Sequence, residues 1–313
     1  MDKTNEEAGM DGNGNSIGTG DAVREHLRRG KEFFEAGDFD NACGELSRAL
    51  DMDPEIVSAY NNRGKIHFRK GRYEDAVRDF DEAIRLKPDL GTAYRNRGLC
   101  HVELGRYGEA IRDFGEAIRL NPEDAAAYRL RGVCLGRTGR HEETVGDLGE
   151  AIRLNPDIGT AYRNRGLSHA ELGRYGEAER DFDEAIRLNP EDAAAYRLRG
   201  GCLGKAGRHG EAERDFDEVI RLNPEDAVSY RLRGVCLGKA GRHGEAERDF
   251  DEAIRLNPKD AAAYRSRGEL YRRKGEWERA IADLEKALEL KPDFGMAREL
   301  LELARKGDRS DLR

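Results

Sequence analysis

The prolines of this chain stand at Pro54, Pro88, Pro122, Pro156, Pro190, Pro224, Pro258 and Pro292, each 34 residues from the last, and there are no others. A fixed period of this length marks a solenoid, in which a short supersecondary unit that cannot bury its apolar face alone stacks on copies of itself. Counting so that each proline holds slot 32, the first unit covers residues 23–56 and the eighth residues 261–294. Glycine fills slot 8 in every unit (Gly30, Gly64, Gly98 and on to Gly268) and slot 15 in every unit (Gly37 to Gly275). Alanine fills slot 20 except at Thr144, and phenylalanine or leucine fills slot 24, as in Phe80, Phe114 and Leu148.

Within a unit the pattern predicts two antiparallel helices. Tyr94, Arg97, Gly98 and His101 recur at helical spacing. Gly105 is placed to end that helix, because glycine accepts the left-handed conformation common at helix C-termini. A second helix is expected over about residues 108–120, with Ala110, Ile111, Phe114, Ala117 and Ile118 on one face, and Pro122 stops it. Asp124, Asp192, Asp226 and Asp260 are placed to cap the helices that follow. Small residues at slots 8 and 20 let the paired helices approach closely, and larger ones should force them apart.

These slots resemble the tetratricopeptide repeat (TPR) family, which has an aromatic at slot 4, a small residue at 8, an aromatic at 17, alanine at 20 and 27, and proline at 32. The second unit supplies Tyr60, Gly64, Tyr73, Ala76, Ala83 and Pro88, and the resemblance runs over residues 23–294. It implies an all-α fold, a right-handed α-solenoid of eight helix-turn-helix units whose first helices line a concave groove. The units would be 23–56, 57–90, 91–124, 125–158, 159–192, 193–226, 227–260 and 261–294. A helix over 295–306 is expected to cap the array with Leu300, Leu301 and Leu303, completing a solenoid of residues 21–306. The polar, glycine-rich residues 1–20 are expected to be disordered, and 307–313 form a charged tail.

Composition narrows the function classes. A net charge of -8 argues against general nucleic-acid binding, which wants a basic footprint. No apolar run approaches the roughly 20 residues of a membrane span, and residues 1–20 lack the apolar stretch of a secretory signal. Five cysteines without close pairs fit a reducing, cytoplasmic setting.

Clusters such as "YRNRGLCH", from Tyr94 to His101, invite a catalytic reading, but the repeats give each member a place. Cys100, Cys134, Cys202 and Cys236 all hold slot 10. Equivalent slots in neighbouring units should lie about 10 Å apart, too far for a disulfide or a shared zinc. His67, His101 and His169 hold slot 11, His141, His209 and His243 hold slot 17, and His26 replaces the slot-4 tyrosine. All read as packing groups. No triad spacing and no phosphate loop emerge, so no enzyme activity, metal or cofactor is expected.

The candidate binding surface is polar. Slot 5, which the resemblance implies faces the groove, holds Arg95, Arg129, Arg163, Arg197, Arg231 and Arg265, and slot 6 holds Asn62, Asn96 and Asn164; nearby groove slots are small or apolar. An arginine fork suits carboxylates, and an asparagine amide suits peptide backbone. The competing reading is a solvated face tied up in surface pairs, as in the second helices, where Arg180, Asp183, Glu184 and Arg187 recur at ion-pair spacing. The slot-7 arginines, Arg63 to Arg267, are expected to bridge helices or units.

An exposed pair is worth about 0.2–1 kcal/mol, whereas a micromolar complex needs about 8.2 kcal/mol. A partner must therefore lie along several units and bury apolar side chains. The clamp by which some family members hold chaperone C-termini is incomplete, since slot 9 carries no asparagine. The leading expectation is a non-catalytic scaffold that binds an extended acidic peptide or helix of a protein partner, monomeric or weakly self-associating, with neither nucleic acid nor membrane. The alternative is a co-chaperone or regulatory subunit docking an enzyme through its convex face or N-terminal tail. Units three to six alternate as if a 68-residue pair were duplicated, and the fourth, with Thr144, Gly146 and Gly149, is expected to be the softest.

Overall fold

The computed structural model describes residues 19–310, with side chains through residue 307. Among the described residues every regular element is a helix. They are α1 (Thr19–Glu35), α2 (Phe39–Met52), α3 (Val57–Arg69), α4 (Tyr73–Leu86), α5 (Gly91–Glu103), α6 (Tyr107–Leu120), α7 (Ala125–Arg137), α8 (His141–Leu154), α9 (Gly159–Glu171), α10 (Tyr175–Leu188), α11 (Ala193–Lys205), α12 (His209–Leu222), α13 (Ala227–Lys239), α14 (His243–Leu256), α15 (Ala261–Lys274), α16 (Trp277–Leu290) and α17 (Gly295–Ser310). The chain is an all-α solenoid. It divides into two compact blocks, one ending at Pro156 and one starting at Asp157. Apart from Thr19 and Gly20, which open α1, the expected disordered tail lies outside the described residues, as do residues 311–313. Helix α17 continues past residue 306 to Ser310.

Each hairpin follows from its residues. All eight slot-15 glycines have positive φ, between 70 and 79°, the left-handed turn that only glycine enters without a Cβ penalty. The turn bonds back on the helix: Gly105 N–H donates to Val102 O and Arg106 N–H to His101 O. At slot 8 the helices touch. A Cβ added at Gly98 would stand 2.7 Å from the Phe114 ring, so glycine is what permits the approach. The second helix of each unit buries its slot-20, slot-24 and slot-27 side chains, for instance Ala110, Phe114 and Ala117.

Units join through slot 10. In the first block Cys100 packs on Ala76 and Phe80 of the preceding unit, and Cys134 on Ala110 and Phe114. In the second, Cys202 packs on Ala178 and Phe182, and Cys236 on Ala212 and Phe216. The cysteine thus plugs the seam between hairpins. Helix α17 closes the second block, burying Ala297, Leu301 and Ala304 against Ala280, Leu284 and Ala287. Leu303 stays half exposed.

Three of the four aspartates expected as caps do that work: Asp124 accepts from Ala127 N–H, Asp192 from Ala195 N–H and Asp260 from Ala262 N–H. Asp226 instead accepts the Ser229 hydroxyl at 2.7 Å. A serine three residues on, where six other units have alanine, supplies a competing donor.

Candidate functional site

The slot-7 arginines form the most regular polar feature. In seven units the guanidinium reaches the slot-23 aspartate of its own hairpin at 2.6–2.8 Å, from Arg63–Asp79 to Arg267–Asp283, and in the first unit Arg29 reaches Glu45 at 3.3 Å. Most of these pairs are two-pronged: Arg97 donates from Nε to one oxygen of Asp113 and from Nη2 to the other. The carboxylates are buried, 5% exposed at Asp215. The guanidinium also lies over the unit's own tyrosine ring, 5.5 Å for Arg97 and Tyr94. Arg97, Arg199, Arg233 and Arg267 make a further pair with the preceding unit, through Asp81, Asp183, Asp217 and Asp251. Bridging of helices and units is therefore what this row does. Hydrogen bonding to the aspartate raises the Arg63 and Arg97 pKa values.

The slot-5 arginines divide into two sets. Arg95, Arg163, Arg197 and Arg231 each pair with the aspartate that ends their own unit, at 2.5, 2.6, 3.0 and 3.0 Å to Asp124, Asp192, Asp226 and Asp260. These aspartates are the residues at the head of the next helix, so the arginine fastens one hairpin to the start of another. The remaining two have no carboxylate. Arg129 makes no hydrogen bond or ion pair among the described residues. Arg265 donates only to the Ser266 hydroxyl, at 3.2 Å, and its Nε is buried with no partner. In sequence the division runs with the residue 29 positions further on: it is aspartate after the four paired arginines, Ile158 after Arg129 and Phe294 after Arg265. Arg265 stacks over that phenylalanine at 5.8 Å.

The asparagines are not brought into one cluster. In the first block Asn62 is exposed, while Asn96 lies 3.5 Å from Asn61, a residue the sequence reading passed over. Asn164 in the second block is half-buried.

Two cavities lie along the first helices of the hairpins. In the first block Phe34, Lys65, Phe68, Asn96 and Leu99 line a small one of about 160 Å³. Burial, with Arg95 nearby, pushes the Lys65 pKa down. In the second block a larger one of about 320 Å³ opens between α13, α15 and α17, with Val235, Leu270, Met296 and Leu300 as apolar walls and Arg265 at its side.

The histidines and cysteines do not meet. His67, His101 and His169 stand 3.6–3.9 Å from Asp79, Asp113 and Asp181, the same carboxylates that hold the slot-7 arginines. Burial lowers their pKa values. Burial pushes the Cys100 thiol up to about 12 and the Cys134 and Cys236 thiols up to about 11, away from nucleophilic reactivity. His26, at slot 4 of the first unit, bonds to the buried Glu45 at 2.6 Å.

This ladder of paired hairpins defines a protein–protein interaction scaffold. The model of the tetratricopeptide repeat family matches residues 27–91, 95–157, 145–181, 163–227, 203–250 and 232–293, and the chain belongs to that family. Among solved structures it is similar to a chain of the APC/C hetero-tetramer Cut9–Hcn1, with 19% identity and a TM-score of 0.61 over 85% of this chain and 52% of that one. The C-terminal part of a TPR repeat-containing protein from Cytophaga hutchinsonii gives 19% identity and 0.61 over 76% and 98%. YrrB, a TPR protein with an unusual peptide-binding site, gives 27% identity and 0.51 over 59% and 96%. No curated protein sequence matches the chain. Among the described residues no helix is long and apolar enough to cross a membrane.

Proposed function

We propose that the chain is a non-catalytic scaffold whose first helices take an extended, acidic segment of a protein partner. The observation that carries this reading is the pair of slot-5 arginines without a carboxylate, Arg129 and Arg265, in a row where the other four have one. A free guanidinium is available to a partner's acid without first giving up its own. Arg95, Arg163, Arg197 and Arg231 contribute only by exchanging their aspartate, and Asn62, Asn96 and Asn164 serve the partner's backbone. Peptide binding by the similar protein YrrB supports the class of ligand. Five free thiols support a reducing, cytoplasmic setting, where the chain works as a monomer or a weakly associating one.

A displayed library of random peptides, panned against the full chain, tests the reading. Acidic sequences should be retained, and retention should fall as salt rises, because exposed charges are screened. Equal retention by a variant carrying Arg129→Glu, Arg163→Glu and Arg197→Glu together would overturn it.

A further inference from the structure

Where Arg231 has Asp260, the next arginine in the row has Phe294, over whose ring it stacks at 5.8 Å, and a cavity at its side. Arg265 sits on α15 with a buried Nε that nothing accepts from, one neutral hydroxyl contact and no ion pair. A charged donor held out of water without an acceptor is costly to keep, and its neighbour Arg231 adds like charge. Beside it the cavity of about 320 Å³ has walls of Val235, Leu270, Met296 and Leu300. Met296 is 58% exposed, the largest exposure among the large apolar side chains of the described residues. Methionine is flexible and adapts to varied partners. The volume lies at the low end for ligand sites and leaves room for one apolar side chain.

The acids near the rim act on the arginine through space, Glu269 and Asp260 among them, but none makes a hydrogen bond or ion pair with it. Glu269 is taken by Arg272 and Arg273, at 2.7 and 2.8 Å. Glu299 is exposed and forms no ion pair with Arg265. Lys239, also on the rim, is exposed and adds a further positive charge.

We propose that this cavity receives one apolar side chain of a peptide partner while a carboxylate one or two residues along the same peptide pairs with the guanidinium of Arg265. The inference rests on the groove reading above and names what the groove takes at this end: an apolar residue followed closely by an acid. Charge complementarity selects the acid, since the unmet donor lies at the edge of the apolar walls and Lys239 on the rim adds a second positive charge. Glu299 opposes it and so tunes affinity from the other side.

The test uses the full chain and fluorescence anisotropy with labelled acidic decapeptides. One carries a leucine followed by an aspartate; two controls change the leucine to serine or the aspartate to asparagine. Each control should bind about tenfold more weakly, the size of one charge-assisted contact or one seated side chain. Arg265→Gln should weaken the leucine–aspartate peptide about tenfold and leave the asparagine control unchanged, a coupling that a double-mutant cycle isolates. Gly238→Met should fill the hollow, since the nearest side-chain atoms to an added Cβ there are 3.9 Å away. It should weaken the leucine peptide and spare the serine control. Glu299→Gln should tighten binding.

Unchanged thermal unfolding separates these effects from misfolding, and Gly238→Met adds helix propensity rather than removing packing. Additive effects of Arg265→Gln and the asparagine change would overturn the proposal. Peptide binding that depends on Arg129 and Arg163 but not on Arg265 would overturn it and leave the groove reading standing; no binding by any of the peptides would end both. Self-association of the free chain that Gly238→Met abolishes would assign the hollow to a second copy, and that too would overturn it.

Discussion

Two rows of arginine run along the same helices, two residues apart, and they have opposite fates. The slot-7 row is fastened in every unit: Arg199 is 22% exposed and grips Asp215, which is 5% exposed, from two nitrogens. The slot-5 row is fastened in four units of six, and less firmly. Arg197 is 40% exposed and reaches Asp226 through one nitrogen at 3.0 Å. The difference is one of place. Slot 7 faces its own second helix across the hairpin seam, where the carboxylates it meets are buried. Slot 5 reaches the end of its own unit, with exposures that run from 19% at Arg231 to 40% at Arg197. One residue type therefore ties the hairpin together at one column and is fastened in only some units two residues away.

Substitution should separate the rows most sharply in stability. Arg199→Gln leaves the Asp215 carboxylate buried and alone, and removal of one member of a buried pair costs about 3 kcal/mol. Burial already raises the Asp215 pKa, so the site has little tolerance for losing its cation. Arg197→Gln gives up a more exposed pair and should cost about 1 kcal/mol or less. Urea unfolding midpoints of the two variants provide the measurement. Equal losses would erase the distinction between framework and free charge.

The seam that buries the slot-7 row depends on the helix approach at slot 8. Gly98→Ala puts a methyl 2.7 Å from Phe114, so the hairpin must open and pull Arg97 away from Asp113. Overpacking of this kind costs about 1–3 kcal/mol. Gly146 in α8 has no heavy atom within 4 Å of an added Cβ. Gly146→Ala should therefore stabilise the chain by about 0.5–1 kcal/mol through helix propensity alone. Hydrogen exchange of α8 reports on the same site: its amides should exchange faster than those of α14 and slow down in the alanine variant. A destabilised Gly146→Ala would show that the fourth unit's glycines are held by contacts rather than tolerated as soft points.

Much of the architecture was legible because it lay in single columns. The 34-residue proline step, the slot-15 glycines and the slot-24 phenylalanines each announce themselves when the units are stacked, and the helices, turns and seams follow from them. The division of the arginines lay between columns. Arg95 and Asp124 are 29 residues apart and Arg97 and Asp113 are 16 apart, spacings that mean nothing until the hairpin is folded and its end meets the next helix. The signal was present: Ile158 and Phe294 stand where the paired units carry aspartate. Reading slot 5 alone made six equal arginines of what the fold makes four and two. Asp226 was hidden in the same way, since its partner Ser229 interrupts a run of alanines in another column.

Acid should loosen the slot-7 row from within. His67, His101 and His169 lean on the carboxylates that the arginines use. Burial lowers their pKa values below the ordinary 6.5, against the pull of Asp79, Asp113 and Asp181; Arg63 and Arg72 reinforce the lowering at His67, Arg97 and Arg106 at His101, and Arg165 and Arg174 at His169. The unfolded chain then takes up protons before the folded one does. Stability contributed by the neutral rings is present above about pH 6.5 and is lost as pH falls through and below that value. The urea midpoint should drop on that descent, and the drop should shrink when the three histidines are replaced by glutamine. A pH-independent midpoint between about 7.5 and 5.5 would mean that the rings charge without cost.

The smallest effect is local and reads the two rows side by side. Cys202 is buried on Ala178 and Phe182 at the seam that Arg199 ties to the preceding unit through Asp183. Its thiol pKa is raised by burial, so a thiol reagent reaches it only when that seam opens. Arg199→Gln removes both the hairpin pair and the tie to Asp183, and labelling of Cys202 should quicken by tenfold or more, because about 1.4 kcal/mol in the opening equilibrium is a factor of ten. Arg197→Gln releases Asp226 at the far end of the unit and should leave the rate within about a factor of three, less than 1 kcal/mol. Half-buried Cys43 serves as the reference thiol in both variants. If the two substitutions accelerate Cys202 alike, the slot-5 pairs are framework as well, and only Arg129 and Arg265 remain for a partner.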